Sequence, residues 1–182
     1  MKYIGNYAFG DYHAITEFQF GSGEFIDQNA FINWYEYTGT LTIPSNTRTI
    51  STGAFMNWYA CKGLSFEEGI EKIGFIDSSH ADMVMAGDGT FAFLNWYTAE
   101  TLHLPNSLKQ TNASFMNWWK CTNLHIGSGL TQIGGTADNP VSEFDVMGVN
   151  VETGVDYTIP DTVTEIGAIF SGTLNTHNAP IK

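Results

Sequence analysis

The chain has 182 residues, 43% hydrophobic and 14% charged, too apolar and too sparsely charged for a disordered polymer. Seven Lys and Arg against nineteen Asp and Glu leave a net charge of −12. That excludes a generic nucleic-acid binder and electrostatic docking on anionic membrane, since both need a basic face. The length fits one domain, 1–182, with enough apolar residues for a continuous core.

In chain order, the opening Met1-Lys2-Tyr3-Ile4-Gly5 lacks the apolar stretch of a secretory signal. The expectation is a chain not exported by that route, or a piece or mature form of something longer. No run of about eighteen apolar residues follows, so membrane insertion by a helix is not expected. A five-residue string then recurs: FINWY at Phe31–Tyr35, FMNWY at Phe55–Tyr59, FLNWY at Phe93–Tyr97 and FMNWW at Phe115–Trp119. The Phe-to-Phe spacings are 24, 38 and 22 residues, and Phe9 lies 22 before Phe31. The period is therefore 22–24, with an insertion of about fifteen residues inside the long spacing.

Nine or ten residues past each Phe comes an apolar-x-apolar pair: Phe18/Phe20, Leu41/Ile43, Leu64/Phe66, Leu102/Leu104 and Leu124/Ile126. Ile50, Ile73 and Ile133 lie seven residues beyond the second member. Tyr157–Phe170 repeats the phrase. Period-2 alternation predicts one short strand per repeat, half facing a core and closed by Pro44, Pro105 or Pro160, or by Gly21 or Gly127. A unit this small cannot bury its apolar face alone, but stacked copies can. The predicted fold is a mainly β repeat solenoid with short turns and a parallel strand ladder. Its six or seven coils would rise about 4.8 Å each, roughly 30 Å in all. Two inserts, about 75–90 and 135–155, interrupt the period.

The repeated Asn-Trp pairs admit two readings. In one, a row of indoles is offered to a sugar or peptide. In the other, Phe31, Phe55, Phe93 and Phe115 and Trp34, Trp58, Trp96 and Trp118 fill the core, each indole N–H needing a partner. Asn33, Asn57, Asn95 and Asn117 would then form an amide ladder that satisfies backbone groups freed at each turn. Repetition in every coil favours the architectural reading. The next aromatic along, Tyr35, Tyr59, Tyr97 or Trp119, would mark a partner site if exposed.

Cys61 and Cys121 fall in coils separated by the one that holds Ala99, roughly 10 Å apart and beyond the reach of a disulfide. They are expected to be free, buried thiols. His103 and His125 are each the outward residue between two inward ones in neighbouring coils. They should stand side by side in a polar row with Gln19, Thr42, Ser65 and Thr158, within reach of one metal ion or one carboxylate. No third ligand is evident, and no metal or cofactor is expected. The inserts carry Asp77, Asp82, Asp88, Asp138, Glu143, Asp145 and Glu152, for which calcium is conceivable, although no regular ligand spacing is present. Their apolar members suggest loops that fold back on the solenoid or dock a partner. The chain carries no G-x-S-x-G, no HExxH and no phosphate-binding glycine loop, so it reads as non-enzymatic.

The phrases "LTIP…I…GAFxxW" and "YTIPDTVTEIGAIF" resemble the BspA-like leucine-rich repeats, from Ile4 to Phe170 outside the inserts. Spacings agree without gaps over Phe55–Gly74 and Phe115–Gly134. Where that family usually has Cys, this chain has Trp34, Trp58, Trp96 and Trp118, with Tyr12 in the first copy, and Cys61 and Cys121 take the following Leu slot. The resemblance implies a leucine-rich-repeat right-handed superhelix serving as a binding or adhesive scaffold, secreted or displayed on a cell surface. The partner expected is a protein or a glycan. The alternative is a structural or assembly protein, self-associating through uncapped solenoid ends or forming part of a virion surface.

Overall fold

A computed structural model describes residues 2–75, 91–112, 114–136, 139–140, 144–145 and 158–167, with the backbone alone for the described part of 135–145. The described chain winds as a mainly β parallel solenoid of about 5 turns with no helix. The sequence suggests six or seven coils. At the C-terminal insert Gly135–Thr136 leaves the repeat to pair antiparallel with Asn139–Pro140, and the isoleucine ladder resumes at Glu165–Ile166, paired with Gln132–Ile133.

Each full repeat crosses three short strand positions rather than the one predicted from sequence. The first is an isoleucine ladder: Tyr3–Ile4, Phe25–Ile26, Thr49–Ile50, Lys72–Ile73, Gln110–Thr111, Gln132–Ile133 and Glu165–Ile166 form one seven-stranded parallel sheet. The second is the expected leucine ladder, Thr40–Ile43, Gly63–Phe66, Thr101–His103 and Asn123–His125. The third takes Phe93–Leu94, Phe115–Met116 and Phe144–Asp145. Backbone bonds carry this third ladder upward, with Phe31 N donating to Ala54 O at 2.8 Å and Phe55 N to Ala92 O at 2.8 Å. Two-residue strands escape sequence reading because alternation needs four or more residues to show. Phe18 and Phe20 occupy the leucine-ladder place of the first winding without forming a strand, half-buried against the core.

The interior is built of like-on-like columns, because parallel in-register rungs put each repeat position above its copy. Phe9, Phe31, Phe55, Phe93 and Phe115 stack at 5.1–5.3 Å with interplanar angles of 3–11°. Trp34, Trp58, Trp96 and Trp118 stack beside them at 4.9–5.5 Å. The turns are satisfied across rungs: the Glu68 carboxylate accepts from Asn106 N at 3.1 Å and Ser107 N at 2.8 Å. Those two amide donors hold the Glu68 carboxyl below its usual range. Gly74, at φ 84°, passes so close to the next turn that a Cβ there would lie 1.5 Å from Asn112 O, so no side chain fits.

The register also spaces charge. Residues just before the isoleucine strands stack as Lys2, Glu24, Arg48, Glu71 and Lys109, alternating in sign from rung to rung. Arg48 and Glu71 approach to 4.0 Å, both largely exposed, so the pair contributes little by itself. Its use is to avoid like charges on adjacent strands.

Candidate functional site

The pentad F-x-N-W-[Y/W] builds one surface of the solenoid. Its Phe points into the core and its Trp is buried behind it, with Trp34 2% exposed and Trp58, Trp96 and Trp118 at 0%. Each indole Nε1–H donates to the carbonyl of the Phe one repeat earlier: Trp34 to Phe9 at 2.7 Å, Trp58 to Phe31 at 2.6 Å, Trp96 to Phe55 and Trp118 to Phe93 at 2.8 Å. With the polar edge satisfied inside, no indole of this row is offered to a ligand.

The asparagines do form a ladder, but with one another rather than with freed backbone groups. Asn57 Nδ2 donates to Asn33 Oδ1, Asn95 to Asn57 and Asn117 to Asn95, each at 2.6 Å. Asn33 in turn donates to Asp11 Oδ1 at 2.6 Å, and the Tyr7 hydroxyl donates to the other Asp11 oxygen. All four asparagines have positive φ, 68°, 66°, 65° and 61°. Asn is thus selected twice: its short amide tolerates the left-handed turn, and it both donates and accepts along the stack.

After that turn the fifth pentad residue emerges at the surface. Tyr35, Tyr59, Tyr97 and Trp119 are half-buried and stacked, with centroids 4.9, 4.9 and 3.9 Å apart, and His13 extends the column over Tyr35 at 5.3 Å. The faces of Tyr35, Tyr59 and Tyr97 are therefore covered on both sides, and what they present outward is ring edge. Burial is the main cause that raises the Tyr35 and Tyr97 phenols above their usual range, reinforced in each by the neighbouring Tyr59. The phenols stay protonated at neutral pH and can donate.

Beside this column lies one that sequence reasoning missed. Met56, Leu94 and Met116 are half-buried on the outer side of the third ladder, with Ile32 in the same position 8% exposed. Alternation about the inward Phe was the signal that could have placed them. Together the two columns make an uncharged aromatic and aliphatic band on a strongly acidic protein.

The other singled-out residues sit elsewhere. Cys61 and Cys121 are free and fully buried, and burial raises their thiols to about 11 and about 12. Thiols so protonated are poor nucleophiles and poor metal ligands. His103 and His125 are exposed, directly paired in register on the leucine ladder, with ring centroids 5.6 Å apart. Most of the two inserts, with Asp77, Asp82, Asp88, Asp138, Glu143 and Glu152, lies outside the described residues, and of Asp145 only the backbone is described. Among the described residues no group of three or more His, Cys, Asp or Glu could hold a metal ion.

The BspA type leucine-rich repeat model matches residues 1–76 and 88–142 in six copies, well over half of the chain. The chain belongs to the BspA type leucine-rich repeat family. No curated protein and no solved structure matches it. Its leucine-rich repeats thus carry a Trp column, an Asn ladder and a surface band on one winding scaffold.

Proposed function

We propose that the protein is a non-catalytic recognition module that binds a protein or glycan partner through the band formed by Tyr35, Tyr59, Tyr97 and Trp119 with Met56, Leu94 and Met116. The observation that carries this reading is the in-register, half-buried aromatic column, four rungs long and free of charge. Exposed aromatic edges beside flexible Met side chains favour apolar contact and phenol hydrogen bonds. Sugar rings stacking face-on find no free face on the three tyrosines, so a glycan would meet their edges and hydroxyls. Family membership supports adhesion and display at a cell surface as the setting.

The test is a binding screen of the full chain against extracellular-matrix proteins and a glycan array. At least one class should bind, and Tyr59→Ser with Tyr97→Ser should abolish that binding at a temperature where circular dichroism shows the variant still folded. Silence on both panels from folded protein overturns the reading. A second reading, self-assembly, draws on the first winding, where Tyr7, Phe9 and Tyr12 are 47%, 43% and 60% exposed. Light scattering that stays monomeric across concentrations removes it.

A further inference from the structure

We propose that His103 and His125 form an open two-imidazole site for a borderline divalent transition ion, best matched by Cu2+ or Ni2+. Two observations carry it. The two residues are direct register partners on adjacent parallel strands, both exposed, with rings 5.6 Å apart and tilted 63°. An ion held by both rings at about 2.0 Å from each nitrogen would sit between them, reached by rotation of the side chains. The strand beneath is fixed, since Leu102 and Leu124 anchor the same rungs at 0% and 3% exposure. The imidazoles therefore start close together, and little ordering remains to be done on binding.

The surroundings select the ion. Imidazole nitrogens suit Cu, Ni and Zn rather than Ca or Mg. A structural zinc site wants three or four protein ligands, and none of the described residues adds a third here. A tetragonal ion that takes two neighbouring nitrogens and fills its other positions with water fits a two-ligand site better, and Cu2+ heads the affinity order. The neighbours on the same outward face are Ser65, one rung before His103, and Thr101 and Asn123 two residues earlier on each strand, none of them cationic. A net charge of −12 raises the local concentration of any cation. His13 differs from this pair, because its ring is stacked on Tyr35 at the other surface.

The full chain is titrated with Cu2+ alone by calorimetry, and the nitrogen count at the ion is read by electron paramagnetic resonance. One ion per chain with two imidazole nitrogens is expected. His103→Ala and His125→Ala should each weaken binding by about tenfold or more, and the double variant should lose the event, while His13→Ala leaves it intact. Because both rings are exposed, matching circular dichroism melts will show that the variants fold. As a second measurement, Ni2+ should broaden the nuclear magnetic resonance signals of the wild-type His103 and His125 rings first. Unchanged Cu2+ affinity in the double variant, or Ni2+ broadening centred on other residues, overturns the site.

Discussion

The winding from Tyr3 to Gly23 and the windings from Phe31 to Ile126 use the same repeat slots with opposite outcomes. In the Trp slot, Trp58 is 0% exposed and Tyr12 is 60% exposed; in the Phe slot, Phe55 is 0% and Phe9 is 43%. In the Asn slot the interior holds Asn57 between two amides, whereas the first winding holds Asp11, which accepts from Asn33 and has no amide to pass on. A repeat residue is thus worth what its two neighbouring rungs make of it. Among the described residues the first winding has a neighbour on one side alone, and its sequence departs from the repeat in the Asn and Trp slots, with Asp11 and Tyr12, while Phe9 keeps the Phe slot.

The largest expected contrast lies in the Trp slot. Trp58→Ala removes a ring stacked on Trp34 and Trp96 and orphans the Phe31 carbonyl, so it should cost about 3–5 kcal/mol. Tyr12→Ala, in the same slot, should change stability by less than about 0.5 kcal/mol. Denaturant titration of both variants checks this; equal losses would mean that the column does not act as a column.

The Asn slot separates two contributions. Asn57→Gly keeps the left-handed turn and loses both ladder bonds, whereas Asn57→Ala loses the bonds and also strains the φ of 66°. The alanine variant should therefore be the less stable by about 1–2 kcal/mol. A glycine variant as unstable as alanine would leave the backbone conformation with no part in the choice of Asn.

Much of this was legible beforehand, and the limits have physical causes. Stacking in register, the burial of the Phe and Trp rows, the free thiols and the pairing of His103 with His125 all follow from a fixed period combined with inward-outward alternation. Positive φ at the asparagines left a trace only in residue type, since Asn tolerates the left-handed region without requiring it. The isoleucine and phenylalanine ladders are two residues wide, too short for alternation to register. Whether a Tyr in the fifth slot would stack or splay was invisible too, because both satisfy the same spacing; the rings stack because the turn at Asn fixes their direction.

Within the interior one rung breaks its column. Thr111 stands where the neighbouring strands place Ile73 and Ile133, at 0% exposure, and its hydroxyl has no hydrogen-bond partner among the described residues. Thr111→Val replaces that hydroxyl with a methyl of similar size and should stabilise the fold by about 1 kcal/mol, read as a higher melting temperature. A lower melting temperature would show that the hydroxyl is satisfied in solution.

The smallest effect concerns the end of the amide ladder and its dependence on pH. Asp11 is held below the usual carboxylate range, first by the Tyr7 hydroxyl and then by the Asn33 amide. A depressed carboxyl contributes stability that is fully present above its unfolded value of about 3.9 and is lost as pH falls through the folded value. Asp11→Asn restores the repeat's own residue, can still accept from Asn33, and gives up the charge. Wild type should therefore melt slightly above Asp11→Asn at neutral pH, with the gap closing as pH drops below about 4. The matching interior change, Asn57→Asp, places a carboxylate where its charge should have the opposite sign of effect, destabilising when ionised. There an ionised carboxylate would face Asn33 Oδ1 with no proton to donate, so the variant should be least stable at neutral pH and recover on acidification. If an ionised carboxylate at position 57 stabilised the fold as the one at position 11 does, the ladder would have no end that differs from its middle, and the contrast between the two regions would lose its electrostatic basis.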